Sequence, residues 1–251
     1  PFDEGDHAVQ ERLARVDRDA HHDPVGEHPG AAGDGRAVAA AFAQEMASGA
    51  LLTNMSVTLL RVAASFGIAM AFGLAIGVAM GRSLRVDRLF DPWLLILLNV
   101  PALVVIVLAF IWGGLTETAG ILAVAINKLP NTVVTIREGA RALDRGLQDM
   151  AEVFQLSRFA RLRHILLPQL TPYVAAGSRS GLSLIWKIVL VVELLGRPNG
   201  VGFEIGSAFQ LFDVPRILAY SLAFVIVMLA IEMAMIQPFE RRVARWRPRR
   251  A

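Results

Sequence analysis

Five long apolar runs, broken only by scattered polar positions, dominate the chain after residue 54. They cover about Met55–Met80, Trp93–Trp112, Gly120–Ile136, Pro172–Leu195 and Ile217–Ile236. A helix rises ~1.5 Å per residue, so ~20 residues cross a ~30 Å hydrocarbon core. The third run is the most interrupted, by Asn127, Lys128, Pro130 and Asn131. None has the strict alternation of a barrel strand, and helices satisfy their own backbone in lipid. The pattern predicts an all-α polytopic membrane bundle with five spans.

Two further stretches carry helical periodicity. Residues 37–50 (AVAAAFAQEMASGA) predict a short amphipathic helix. Between the third and fourth runs, residues 144–174 read DRGLQDMAEVFQLSRFARLRHILLPQLTPYV. Leu147, Met150, Ala151, Phe154, Leu156, Phe159, Leu162 and Ile165 recur there at helical spacing. Gln155–Ser157 interrupts as a turn. Two short amphipathic helices along the membrane surface follow, with Pro168 and Pro172 restarting the chain into the fourth span. The division is then an acidic polar segment 1–54, a membrane domain 55–238 containing the loop 139–168, and a basic tail 239–251.

Composition agrees with this picture. Of 251 residues, 55% are hydrophobic, and the mean hydropathy is +0.50. Cysteine is absent, which removes disulfides and thiolate metal sites. Charge adds the orientation. Residues 1–55 hold ten acids and four arginines, whereas the rest of the chain is net basic. The basic residues cluster in 81–92 (Arg82, Arg85, Arg88), in 137–168 (Arg137, Arg141, Arg145, Arg158, Arg161, Arg163) and in the tail from Arg241. The alternate loops are poor in them: 113–119 has none and 196–215 has only Arg197. By the positive-inside rule the basic loops and the C-terminus are cytoplasmic, and residues 1–54 are external. Basic residues placed this way serve topology, which argues against nucleic acid as a partner. Residues 1–36, acidic and rich in Gly and Pro, read as loosely ordered.

Candidate chemistry is sparse. The chain has two lysines, Lys128 and Lys187, preceded by Asn127 and Trp186. A P-loop needs Gly-Lys-Ser/Thr, so no nucleotide motif is expected and the chain is read as no enzyme. His7, His21, His22 and His28 lack metal-ligand spacing. Asn99, Asn127, Lys128, Asn131, Lys187 and Glu193 fall in or near spans. Such residues face a cavity or a partner, because a charge at mid-membrane costs ~2.5–3.5 kcal/mol. One reading makes Asn99, Lys128, Asn131, Lys187 and Glu193 a path for a small anion. The other pairs a lysine with Glu193 or Glu117, or lets Lys187 snorkel to the interface. Glu232 has no evident partner in sequence. Gly73, Gly77 and Gly81, with Gly67 before them, read as a face for close helix packing.

The loop carries a resemblance. Asp149-Met150-Ala151, then Gln155, Leu156-Ser157-Arg158-Phe159 and Leu167-Pro168, resemble the "EAA" loop of binding-protein-dependent ABC transporter permeases. Gln155 stands where that loop has glycine, which argues against a left-handed backbone there. The resemblance extends over about residues 50–247, through Thr58-Leu59-Leu60-Arg61-Val62, Met80-Gly81-Arg82-Ser83, Asp91-Pro92, Val192-Glu193-Leu194-Leu195-Gly196, Gly200-Val201-Gly202 and Glu240-Arg241-Arg242. It is nearest the subgroup importing nitrate, sulfonates and taurine.

That resemblance implies a type I importer fold in a bacterial inner membrane, with the family's first of six spans absent. It implies a homodimer of permeases, two ABC ATPase subunits that bind ATP and Mg, and an external solute-binding protein, with no cofactor on this chain. It assigns Asp149, Met150, Ala151, Glu152, Phe154, Gln155, Leu156, Ser157, Arg158 and Phe159 to docking the ATPase. The apolar members would anchor the contact, while Asp149, Glu152 and Arg158 set its register. Residues 196–215 would face the binding protein. The rivals are an ion-gradient-driven secondary carrier, a membrane enzyme and a non-transport scaffold.

Overall fold

The computed structural model describes residues 34–238. The expectations for the histidine-bearing leader and the basic tail lie outside the described residues. Ten α-helices follow in chain order among those residues: α1 Gly35–Ala47, α2 Ala50–Arg82, α3 Leu84–Asn99, α4 Ala102–Gly113, α5 Glu117–Arg141, α6 Arg145–Val153, α7 Arg158–Arg161, α8 Leu167–Gly196, α9 Val201–Gln210 and α10 Val214–Ile231. π-helical turns at Leu162–Leu166 and Glu232–Ile236 adjoin α8 and α10.

Among the described residues three helices are long and apolar enough to cross a membrane: α2, α5, and α10 extended to Ala234. The second predicted span is not one helix. It breaks into α3 and α4, which meet at 100°. The cause is Pro101. Val100 precedes it and is pushed to extended backbone (φ −71°, ψ 126°), so α3 stops at Asn99. Counted as one broken span, the pair makes a fourth. α8 has 30 residues, ample for a crossing, but it carries Arg179, Lys187 and Glu193 and falls short on composition.

Side-chain contacts fix how the helices run. α2 and α5 are parallel and close. A Cβ on Gly73 would lie 2.5 Å from the Thr132 methyl, on Gly77 2.8 Å from Ile136 Cβ, and on Gly81 2.5 Å from Ala140 Cβ. Gly67 takes no part, since nothing lies within 4 Å of its Cβ position. α8 runs antiparallel to α5: Gly139 packs on Tyr173, Gly177 on Thr135 and Gly120 on Val192. The core joins Leu51, Met55 and Val62 of α2 to Ile185, Trp186 and Val189 of α8 and to Tyr220 and Phe224 of α10. Trp186 meets Phe224 edge to face at 5.6 Å.

The bundle thus has two distinct ends. One holds α6, α7 and the close of α2 and α5. The other holds α9, the start of α2 and α5, and the close of α8. The predicted basic loops 81–92 and 137–168 share the α6 end. There Arg137 pairs with Asp91 at 2.6 Å and Arg141 with Asp87 at 2.6 Å, tying α5 to α3.

The short amphipathic helix expected over residues 37–50 is present as α1, and residues 50–54, placed in the polar leader, open α2. Residues 35–54 are helical apart from the turn at Ser48–Gly49. Glu45 of α1 bonds Arg216 at 3.1 Å and accepts from the Tyr220 hydroxyl at 2.7 Å. Phe42 and Val38 lie along Leu218, Leu222 and Ile226 of α10. These ion-pair, hydroxyl and apolar contacts seat α1 against α10, although none of its residues is fully buried.

Candidate functional site

The loop between α5 and α8 is built by two caps. The Asp144 carboxylate accepts from Gly146 N–H at 2.8 Å, opening α6. The Asp144 N–H donates to the Gln169 side-chain oxygen at 2.8 Å, which ties α6 to the first turn of α8. At its other end, Gln155 N–H reaches Glu152 O at 3.0 Å and Leu156 N–H reaches Ala151 O at 3.0 Å. This crossed pair is a Schellman motif. It requires a left-handed residue, and Gln155 supplies it at φ +49°. The expectation from the missing glycine is therefore corrected. The motif's two hydrogen bonds offset a backbone cost of about 1–2 kcal/mol. Ser157 then caps α7 by accepting from Ala160 N–H.

Residues 150–159 are accordingly not one helix but a helix end, a turn and a new start. The turn presents apolar side chains. Val153 is 79% exposed, Phe154 71%, Phe159 67% and Met150 43%. Asp149, Glu152, Gln155 and Ser157 are exposed beside them. Ala151 is buried and Leu156 half-buried, so these two are not part of the exposed apolar set. Val153, the most exposed of the set, was not singled out from the sequence.

The α9 end carries a second constellation. Arg61, 4% exposed, lies between two carboxylates: Glu117 of α5 at 2.6 Å and Glu193 of α8 at 2.7 Å. Its guanidinium also donates to the Asn199 carbonyl at 2.8 Å. Glu193 is fully buried and accepts from Thr58 Oγ1 at 2.9 Å and from Gly202 N–H at 2.9 Å. The Thr58 hydroxyl accepts from Val201 N–H, and Asn54 Oδ1 accepts from Gly200 N–H, each at 2.9 Å. Gly200 makes room for this: its φ is +107°, and a Cβ there would run into the Glu193 carboxylate and the Arg61 guanidinium. Arg197 bonds the second Glu117 oxygen. The cluster continues through Asn54 to Glu204 at 3.0 Å and from Glu204 to Arg216 at 2.8 Å. It stitches α2, α5, α8, α9 and α10 together, with Glu45 of α1 at its edge.

Neither lysine pairs with Glu193 or Glu117; Arg61 takes both. Sequence reasoning quoted Arg61 only as part of a motif. The usable signal was a lone arginine inside the 33-residue apolar helix α2. The predicted path residues are scattered. Asn99 ends α3 and donates to Leu95 O. Lys128 is buried against Gly181 of α8. Glu193 belongs to the Arg61 cluster. Asn131 of α5 and Lys187 of α8 are exposed. Glu232, without a partner in the sequence reading, meets Arg179 at 3.8 Å.

Comparison with known proteins adds the following. The family model described as "Binding-protein-dependent transport system inner membrane component" matches residues 65–237. The chain is 30% identical over 211 residues to a protein of Escherichia coli K12 named as an aliphatic sulfonates transport permease, covering 84% of this chain and 80% of that one. It is 26% identical over 196 residues to the taurine transport system permease of the same organism, covering 78% and 71%. A chain of the MetNI methionine ABC transporter in an inward-facing form superposes with TM-score 0.68 at 16% identity, over 79% of this chain and 98% of that one. The likeness of fold is that of an ABC importer transmembrane bundle.

Proposed function

Because the chain belongs to the family of binding-protein-dependent transport system inner membrane components, we propose that it is the permease subunit of an ATP-driven importer whose loop 144–168 docks a separate ATPase, and that its solute is a small anion. An importer permease of the sulfonate, taurine and bicarbonate type accords with its relatives. With no P-loop lysine in the sequence, ATP and Mg belong to the partner. Two permease copies would enclose one path, the α6 end facing the cytoplasm and the α9 end a solute-binding protein.

One observation carries the docking reading: Met150, Val153, Phe154 and Phe159 stand exposed on a turn whose backbone is fixed by caps at both sides. Exposed apolar side chains on a rigid turn suit a groove in another protein. The bond from Asp144 to Gln169 gives a displaced α6 a direct route to α8. The Arg61 cluster keeps the opposite helix ends together while the α6 end moves, which suits alternating access. The carboxylates a gradient-driven carrier would need, Glu193 and Glu232, are held by Arg61 and Arg179.

Co-purification of the ATPase from membranes tests this. Phe154→Asp is expected to abolish recovery of the ATPase while the permease stays folded. Undiminished recovery would refute the docking surface. Vanadate is expected to stop uptake, and vanadate-insensitive uptake would refute the ATP-driven reading.

A further inference from the structure

We propose that the face of α8 bearing Arg179, Ser180, Ser183 and Lys187 is the water-facing wall of the transport path, and that Lys187, not Lys128, supplies the charge that draws an anion along it. The inference rests on the permease reading above and assigns the wall within it.

Arg179, Ser183 and Lys187 are spaced by four, and residues four apart on a helix stand one above the other. With Ser180 they form one strip, and all four are exposed. Most of the rest of this stretch faces protein: Gly177, Ser178, Gly181, Ile185, Trp186, Ile188 and Val189 are buried, and Leu182 and Leu184 are half-buried. Two fixed cations turned to lipid would each cost ~2.5–3.5 kcal/mol. Lipid has other surface to meet, since Leu60 and Phe72 of α2 are exposed and apolar. Among the described residues the serines bond only to the backbone of their own helix. Ser180 donates to Gly177 O at 3.3 Å and Ser183 to Ser180 O at 3.1 Å, leaving oxygen lone pairs outward.

A small cavity of about 120 Å³ opens off the strip between α8 and α10, lined by Arg179, Ser183, Trp186, Lys187, Met228 and Glu232. Within it Arg179 is countered by Glu232 at 3.8 Å. Lys187 has no ion pair among the described residues, so its positive charge is uncompensated. Lys128 reaches α8 on another side. It is 1% exposed and lies against Gly181, where a solute on the strip does not meet it. Beyond Lys187 the same face turns apolar at Val191 and Leu194, and Gly206 of α9 packs on Leu194. The polar wall thus ends about two helical turns short of the α9 end.

The chain's lack of cysteine makes the test direct. Ser183→Cys is placed in the complete transporter in permeabilised membrane vesicles. It is reacted with an anionic methanethiosulfonate (ethylsulfonate) and a cationic one (ethyltrimethylammonium), each rate corrected for reaction with free thiol. The anionic reagent is expected to label about tenfold faster, the lower range of charge focusing in a cleft. Adding Lys187→Gln is expected to bring the two rates together, whereas adding Lys128→Met leaves the ratio unchanged. Phe72→Cys is expected to stay unlabelled. An unreactive Ser183→Cys, a preference for the cation, or a ratio indifferent to Lys187→Gln would each overturn the proposal. If the ATPase still co-purifies in that case, the wall assignment fails and the permease reading stands. If it does not associate at all, the permease reading fails first.

Discussion

The Arg61 cluster and the loop 144–168 handle polarity in opposite ways, although the α9 end also exposes Phe209, Leu211 and Phe212. In the cluster, Arg61 and Glu193 are almost wholly excluded from solvent and each has several partners, while Glu117 at its edge is half exposed. At the α6 end, apolar side chains are exposed, and the ion pairs are partly solvated, with Arg141 42% exposed. One end spends its hydrogen bonds on holding its own helices in register. The other leaves surface uncovered and holds only its backbone in place. On the function proposed above, the first would serve as a fixed point and the second as a grip.

Substitutions can break or sharpen that contrast. Arg61→Ala is expected to have the largest effect, about 3–5 kcal/mol of stability, because it leaves the buried Glu193 unpaired. Thermal unfolding in detergent would read it, and a change below ~1 kcal/mol would remove the clamp from the account. Gly77→Val is next, at about 1–3 kcal/mol, because its side chain meets Ile136 and the Val133 carbonyl. Gln155→Gly is expected to gain about 1 kcal/mol by relieving the left-handed backbone. Hydrogen exchange at Leu156 N–H would slow correspondingly. Arg141→Ala at the α6 end should cost less than about 1 kcal/mol, as partly exposed pairs do. Phe154→Asp should change stability by no more than ~0.5 kcal/mol. If it unfolds the permease instead, the turn is packed and the two ends are alike.

Much of this was legible in the chain. Apolar runs separated by basic and basic-poor loops gave the helices and their alternating direction, because lipid demands internally bonded segments and charge bias sets their sides. The turn at Gln155–Ser157 showed as a break in helical period. Two local signals misled. Val100-Pro101 lay inside a continuous apolar run, so hydropathy passed over a break that proline stereochemistry imposed. Gln155 lacked the expected glycine, yet two backbone hydrogen bonds held it left-handed. The helix expected over 37–50 was legible from its period, but its seat was not, since Glu45 meets Arg216 and Tyr220 more than 170 positions away.

By itself, then, the sequence determined which segments are helical and where the loop between α5 and α8 turns, since both follow from local periodicity and composition. Only the tertiary structure decided which charges find each other. Arg61, Glu117 and Glu193 are 56 to 132 residues apart, and Lys128 and Lys187 look equivalent until helix rotation buries one and exposes the other. Pairing of buried charge depends on which faces of antiparallel and parallel helices meet, and a one-dimensional pattern does not encode that rotation.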